Sequence, residues 1–162
     1  MKRIALSGAV VLMLASAGNS APSDLKVTGG VTGQTDAATA AKCRLTKSGT
    51  TLFHYGVRLN TGKATGLGSK SLSVVFEVVP YNGPGKYNAA GKQFGDTPVE
   101  ATLQTQGIVG IDEKWLATSG VLAVTNTSGQ MVSGTVDADL APTKKKAGPI
   151  HLSGAWSCTI DK

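Results

Sequence analysis

Along most of the chain apolar and polar residues alternate with a period of two. In "TLFHYGVRL" Phe53, Tyr55, Val57 and Leu59 share one face, and His54 and Arg58 take the other. "SLSVVFEVV" sets Leu72, Val74, Phe76 and Val78 together, while Val75 and Val79 flank Glu77 on the second face, the composition of a strand covered on both sides. "VEATLQT" aligns Val99, Ala101 and Leu103 against Glu100, Thr102 and Gln104. "MVSGTVDADL" aligns Val132, Gly134, Val136, Ala138 and Leu140 against Ser133, Thr135, Asp137 and Asp139. "IHLSGAWSC" aligns Ile150, Leu152, Gly154, Trp156 and Cys158 against His151, Ser153, Ala155 and Ser157, and "KCRLTK" places Cys43 and Leu45 on one face. This alternation predicts half-buried β-strands. Twenty-one glycines and six prolines cut the pattern into short runs, and no 3.6-residue periodicity survives. "GVLAVTN" is apolar on both faces, so its pattern gives no orientation. "GIVGIDEKWLATS" reads as a loop carrying Trp115 inward or as a single helical turn. The expectation is an all-β fold, an antiparallel β-sandwich or flattened barrel of about seven to eight strands. Its last two strands form a hairpin across "APTKKKAGP", with Trp156 packed over Gly134, since a strand glycine often marks close approach of another group.

The N-terminus breaks this pattern. Met1-Lys2-Arg3, the apolar run "IALSGAVVLMLA" and the small residues Ala15-Ser16-Ala17 form the three parts of a signal peptide over residues 1–17. The run is short for a membrane span, and no second apolar stretch is long enough, so the expected product is exported, secreted or periplasmic, with no membrane span. Residues 18–41 are rich in Gly, Ser, Thr and Ala, with only Leu25, Val27 and Val31 able to pack, and read as a flexible leader with room for one short strand. The β-domain is then residues 42–162.

Export changes the meaning of the charge and of the cysteines. The formal charge is +6, and loss of Lys2 and Arg3 leaves 14 basic against 10 acidic residues. Lys144-Lys145-Lys146, between Pro142 and Pro149, reads as a solubilising turn, with an acidic polymer or lipid headgroup as its rival partner. The basic residues are not interleaved with aromatics, so nucleic acid is not an expected partner; the ligand or envelope component it meets is unknown. Two cysteines in an exported chain most simply form one disulfide, and the alternation turns Cys43 and Cys158 inward on the first and last strands of the domain. Such a bridge would pin a final strand that otherwise frays. Neither CxxC nor HxxxH spacing occurs, so no metal or other cofactor is expected.

The layout of a strand cysteine at Cys43, a penultimate strand "VSGTVDADL" bearing Gly134-Thr135, and a near-terminal Cys158 resembles the secreted mycobacterial 19 kDa lipoprotein antigen family. The resemblance covers the C-terminal part of the chain plus Cys43, and the family's lipid-anchored cysteine has no counterpart here. It implies an envelope-associated or secreted β-protein with no enzymatic site to carry over.

For chemistry, GxSxG, HExxH, P-loop and EF-hand patterns are absent. His54 and His151 fall on outward faces. Asp137 and Asp139 share a face, and pairing of the last two strands would add His151 or Ser153, from which an Asp-His-Ser cluster can be drawn. An open sheet face excludes little water, however, and nothing supplies an oxyanion hole. The primary expectation is therefore a non-enzymatic ligand-binding or envelope-associated module with no catalytic residues. The alternatives are a small secreted hydrolase using Asp137, Asp139 and His151, or an inhibitor presenting one loop. In "PYNGPGKYN", Tyr81 and Tyr87 flank a Gly-Pro-Gly bend and form a candidate binding surface for sugar, peptide or lipid. The competing role for them is to cap the end of the core.

Overall fold

Among the described residues there are ten strands: β1 (Asp24–Gly29), β2 (Gly33–Gln34), β3 (Lys42–Ser48), β4 (Thr50–Asn60), β5 (Ser71–Val78), β6 (Gly85–Asn88), β7 (Ala101–Val109), β8 (Lys114–Ser128), β9 (Met131–Pro142) and β10 (Ile150–Thr159). The structure, a computed structural model, describes residues 23–35, 41–48, 50–61, 71–89, 101–109 and 111–160. The expected signal peptide, residues 1–17, lies outside them, as does Val99. The strands form one antiparallel sheet in the order β2-β1-β10-β9-β8-β7-β5-β4-β3, with β6 added beside β8. The sheet closes on itself where Gln34 of β2 meets Asn60 of β4 and where Cys43 bridges Ile160. The result is an eight-stranded antiparallel barrel with β2 and β6 as extra strands and one disulfide. Among the described residues no helix is long and apolar enough to cross a membrane.

Inward residues fill the barrel, as a barrel of this strand number requires. Phe53, Tyr55, Phe76 and Trp156 form its aromatic centre, each at most 1% exposed. Tyr55 stacks on Phe76 at 4.2 Å between ring centroids, and Trp156 meets Phe76 edge-on at 5.0 Å. Trp156 pairs with Gly134 across β10 and β9, and a Cβ at Gly134 would lie 2.7 Å from Trp156 Cζ2 and 1.8 Å from the Ala123 carbonyl. Only glycine fits there.

Two expectations change. Residues 24–34, placed in a flexible leader, instead contribute β1 and β2; Leu25 and Val27 are fully buried, and β1 pairs with β10 over its whole length. The domain therefore begins before residue 42, because two apolar residues at i and i+2 are enough to seat a short strand when a partner edge is free. The undecided segment divides: 107–109 end β7, 111–113 lie outside the strands, and β8 begins at Lys114, so Trp115 sits on a strand, points inward and donates from Nε1 to the Gly148 carbonyl at 2.9 Å. Register shifts between Ala117 and Ser119, and between Val124 and Asn126, interrupt β8. The first switches the inward set from Trp115 and Ala117 to Leu122 and Val124. "GVLAVTN" itself carries no readable face because Val121 and Ala123, on the side away from the buried Leu122 and Val124, are apolar as well.

The barrel has a seam. Among the described residues the β1–β10 ladder ends at Asp24 and Ala155, and the end of β10 lies beside β3, where Cys43 bridges Ile160. Ser23 fills the gap: its Oγ accepts from Ser157 N–H at 3.1 Å, donates to the Ser157 carbonyl at 3.2 Å, and lies 3.0 Å from Tyr55 Oη. The Cys43–Cys158 disulfide, with Cα atoms 5.8 Å apart, crosses the same seam.

Candidate active site on the outer sheet face

The β9–β10 register sets His151 opposite Asp139 and Ser153 opposite Asp137, all on the outer face. His151 Nδ1 lies 2.9 Å from Asp139 Oδ1. A carboxylate only accepts, so Nδ1 carries the hydrogen in this bond. His151 Nε2 then faces Asp137 Oδ2 across 3.9 Å. The β8 bulge adds two more contacts: Ser119 Oγ donates to Asp139 Oδ2 at 3.4 Å, and Thr118 Oγ1 donates to the Asp139 carbonyl at 3.1 Å. Asp139 is thus held from β8 on one side while it orients His151 on the other. The cluster is open to solvent, with side-chain exposures of 40% for His151, 67% for Asp139 and 79% for Asp137.

This arrangement corrects the expectation that the chain has no catalytic set. The alternation placed Asp137, Asp139 and His151 on outward faces, and they are there. What it did not supply was the register, which seats the imidazole on one carboxylate and turns its second nitrogen toward the other. A base oriented by a hydrogen-bonded carboxylate is the core of an acid–base site.

Two further polar groupings were not anticipated. On the other side of the barrel His54 Nδ1 lies 2.8 Å from Glu77 Oε1, both about one-third exposed. The signal for it was present, as an outward His and an outward Glu, but without the β4–β5 register nothing paired them. Between β7 and β8, Glu113 is 3% exposed and sits inside the lysine loop. Burial alone would push its carboxyl up; backbone N–H groups of Lys144, Lys114, Lys146 and Ala147 outweigh that and hold it down at about 2. Asp112 pairs with the ammonium groups of both Lys144 and Lys146, and those bonds hold its carboxyl at about 2 and push Lys146 up. The lysine run is therefore a loop folded around two acids rather than a free basic turn, and Lys145 at its tip adopts φ 57°.

Tyr81 and Tyr87 are 9% and 8% exposed, with centroids 6.1 Å apart. Tyr87 Oη donates to the Gly83 carbonyl at 2.5 Å, and Tyr81 Oη lies 3.2 Å from Thr127 Oγ1. Tyr81 packs on Phe53 at 5.3 Å. With the rings enclosed and both hydroxyls engaged within the fold, this geometry favours the capping role over a binding surface. Among the described residues no group of three or more His, Cys, Asp or Glu has the geometry to hold a metal ion.

No protein-family model, curated protein or solved structure matches this chain. The likeness to the 19 kDa lipoprotein antigen family therefore rests on the residues quoted above alone.

Proposed function

We propose that the protein is a small exported hydrolase in which His151 is the general base, Asp139 orients it, and Asp137 stabilises the imidazolium that forms. The observation that carries this reading is the 2.9 Å bond from Nδ1 to Asp139, which leaves the Nε2 lone pair directed toward the space before Asp137. A water there attacks a substrate carbonyl carbon and gives its proton to Nε2; the imidazolium returns that proton to the leaving oxygen. The face is flat and wet, which fits an extended ester-bearing chain laid across the strands better than a small molecule that needs enclosure. Export is supported by the N-terminal sequence and by the disulfide, which persists in an oxidising compartment. An envelope location is the further proposal that the antigen-family likeness adds.

The test is hydrolysis of p-nitrophenyl esters of increasing acyl length by the purified protein. His151→Ala should lower kcat/KM by about 10²–10⁴-fold, Asp139→Asn by less, and both variants should keep the wild-type Tm. Ser153→Ala distinguishes direct attack by water, which it would spare, from an acyl-serine route. Equal turnover by wild type and His151→Ala, or none above the buffer rate, would overturn the assignment.

A further inference from the structure

The side of the barrel away from His151 carries a patch of the opposite character. Three cross-strand rows build it. Arg44, His54, Glu77 and Thr102 form one; Lys42, Gly56, Val75, Gln104 and Leu116 the next; Arg58, Ser73, Gln106 and Lys114 the third. Lys42, Arg44 and Arg58 are exposed. The only carboxylate in these rows, Glu77, is engaged by His54. The centre of the patch is a pit. Gly56 has no side chain, and a Cβ placed on it would meet a single atom within 4 Å, His54 Nε2 at 3.7 Å. Glu77 fixes the imidazole through Nδ1, so Nε2 is aimed at that pit.

We propose that this face binds an acidic polysaccharide, with one anionic group seated over Gly56 between His54 and the cations of Lys42, Arg44 and Arg58. The size fits an extended chain: five strands spaced by about 4.8 Å give a strip roughly 19 Å wide. Hydroxyl and amide side chains between the cations (Ser73, Gln104, Gln106) match a ligand that alternates charge with sugar hydroxyls. Single-stranded nucleic acid is disfavoured because its bases need aromatic platforms, and these rows hold no Phe, Tyr or Trp. An acidic protein would need an apolar anchor pocket, and the apolar side chains in the three rows, Val75 and Leu116, are both half-buried and stand at separate positions rather than forming one.

The experiment is binding of the disulfide-bonded, signal-free chain to immobilised dextran sulfate, with neutral dextran and duplex DNA in parallel. Arg44→Ala with Arg58→Ala should weaken dextran sulfate binding by about tenfold, the size expected for two exposed charge contacts. Gly56→Thr fills the pit in a strand position where Thr is favoured; it should weaken binding while the Tm holds or rises. Lys86→Ala with Lys145→Ala removes the same charge elsewhere and should leave binding unchanged. If that control weakens binding as much as the arginine pair, net charge alone is responsible and the site is refuted. Duplex DNA binding as tightly as dextran sulfate, or no binding to dextran sulfate at low salt, refutes it equally.

Discussion

Tyr55 shows how a single buried hydroxyl sets a stability limit. Burial pushes its pKa up to about 12 from the ordinary 10, only partly offset by the hydrogen bond it shares with Ser23. In the unfolded chain the phenol ionises near pH 10, whereas the folded chain resists until about 12. The contribution to stability is thus complete below the unfolded value and is lost as pH rises through this window, in total about 2–3 kcal/mol. Urea midpoints of wild type and Tyr55→Phe, measured from neutral pH upward, should converge above pH 10, because only the wild type carries this loss. Glu113 works in the other direction. Its folded value of about 2 lies below the ordinary 4.5, so its contribution is present above 4.5 and disappears as pH falls toward 2. Glu113→Gln should lower the Tm at neutral pH and flatten the acid limb of the stability curve; an unchanged Tm would mean that the loop does not depend on the carboxylate. Neither group stood out in the sequence. Tyr55 read as an inward aromatic, which it is, but the Ser23 hydroxyl that meets it comes from a segment taken for a leader. Glu113 read as one acid among ten, since its partners are backbone N–H groups thirty residues away.

At the scale of the strand, what was legible is what period two encodes. The inward sets of β4, β5, β9 and β10 were readable because each strand keeps one parity through the core. β8 was not, because a bulge at Thr118 changes its parity and no residue type announces the extra position. The same bulge places Ser119 against Asp139, so the irregularity that hid the strand also supports the candidate site. The strand glycine was legible in part. Gly134 sits where Trp156 and the Ala123 carbonyl leave no room, and Gly134→Ala should destabilise the fold by about 2–3 kcal/mol through overpacking. A chemical denaturation midpoint measures this. Thr135→Ala, one position along on the exposed face, should stay within about 0.5 kcal/mol of wild type.

For the whole molecule the seam decides how the barrel opens. Most neighbouring strands share long ladders, such as the ten paired positions between β9 and β10, although β7 and β8 pair only over Gln104–Gln106 and β2 meets β4 only at Gln34 and Asn60. Between β10 and β3 the backbone makes one bridge among the described residues, Cys43 to Ile160. Among the described residues the Ser23 hydroxyl on Ser157 and the disulfide also hold that edge, while the Ile160 N–H donating to the Gln130 carbonyl ties the end of β10 to the β9 side. The disulfide spans 115 residues of sequence, so it removes a large share of the unfolded chain's freedom. On the chain-entropy account that is worth roughly 4–5 kcal/mol. It also acts locally, because an edge with one backbone bridge has little else to prevent fraying. Cys43→Ser with Cys158→Ser should therefore do two separable things. It should lower the unfolding free energy by roughly 4 kcal/mol. It should also raise amide exchange first in residues 156–160 and 42–46, while the β8–β9 ladder keeps its protection relative to global unfolding. Uniform loss of protection across all strands would show that the bridge acts only on the unfolded state and that the seam closes without it.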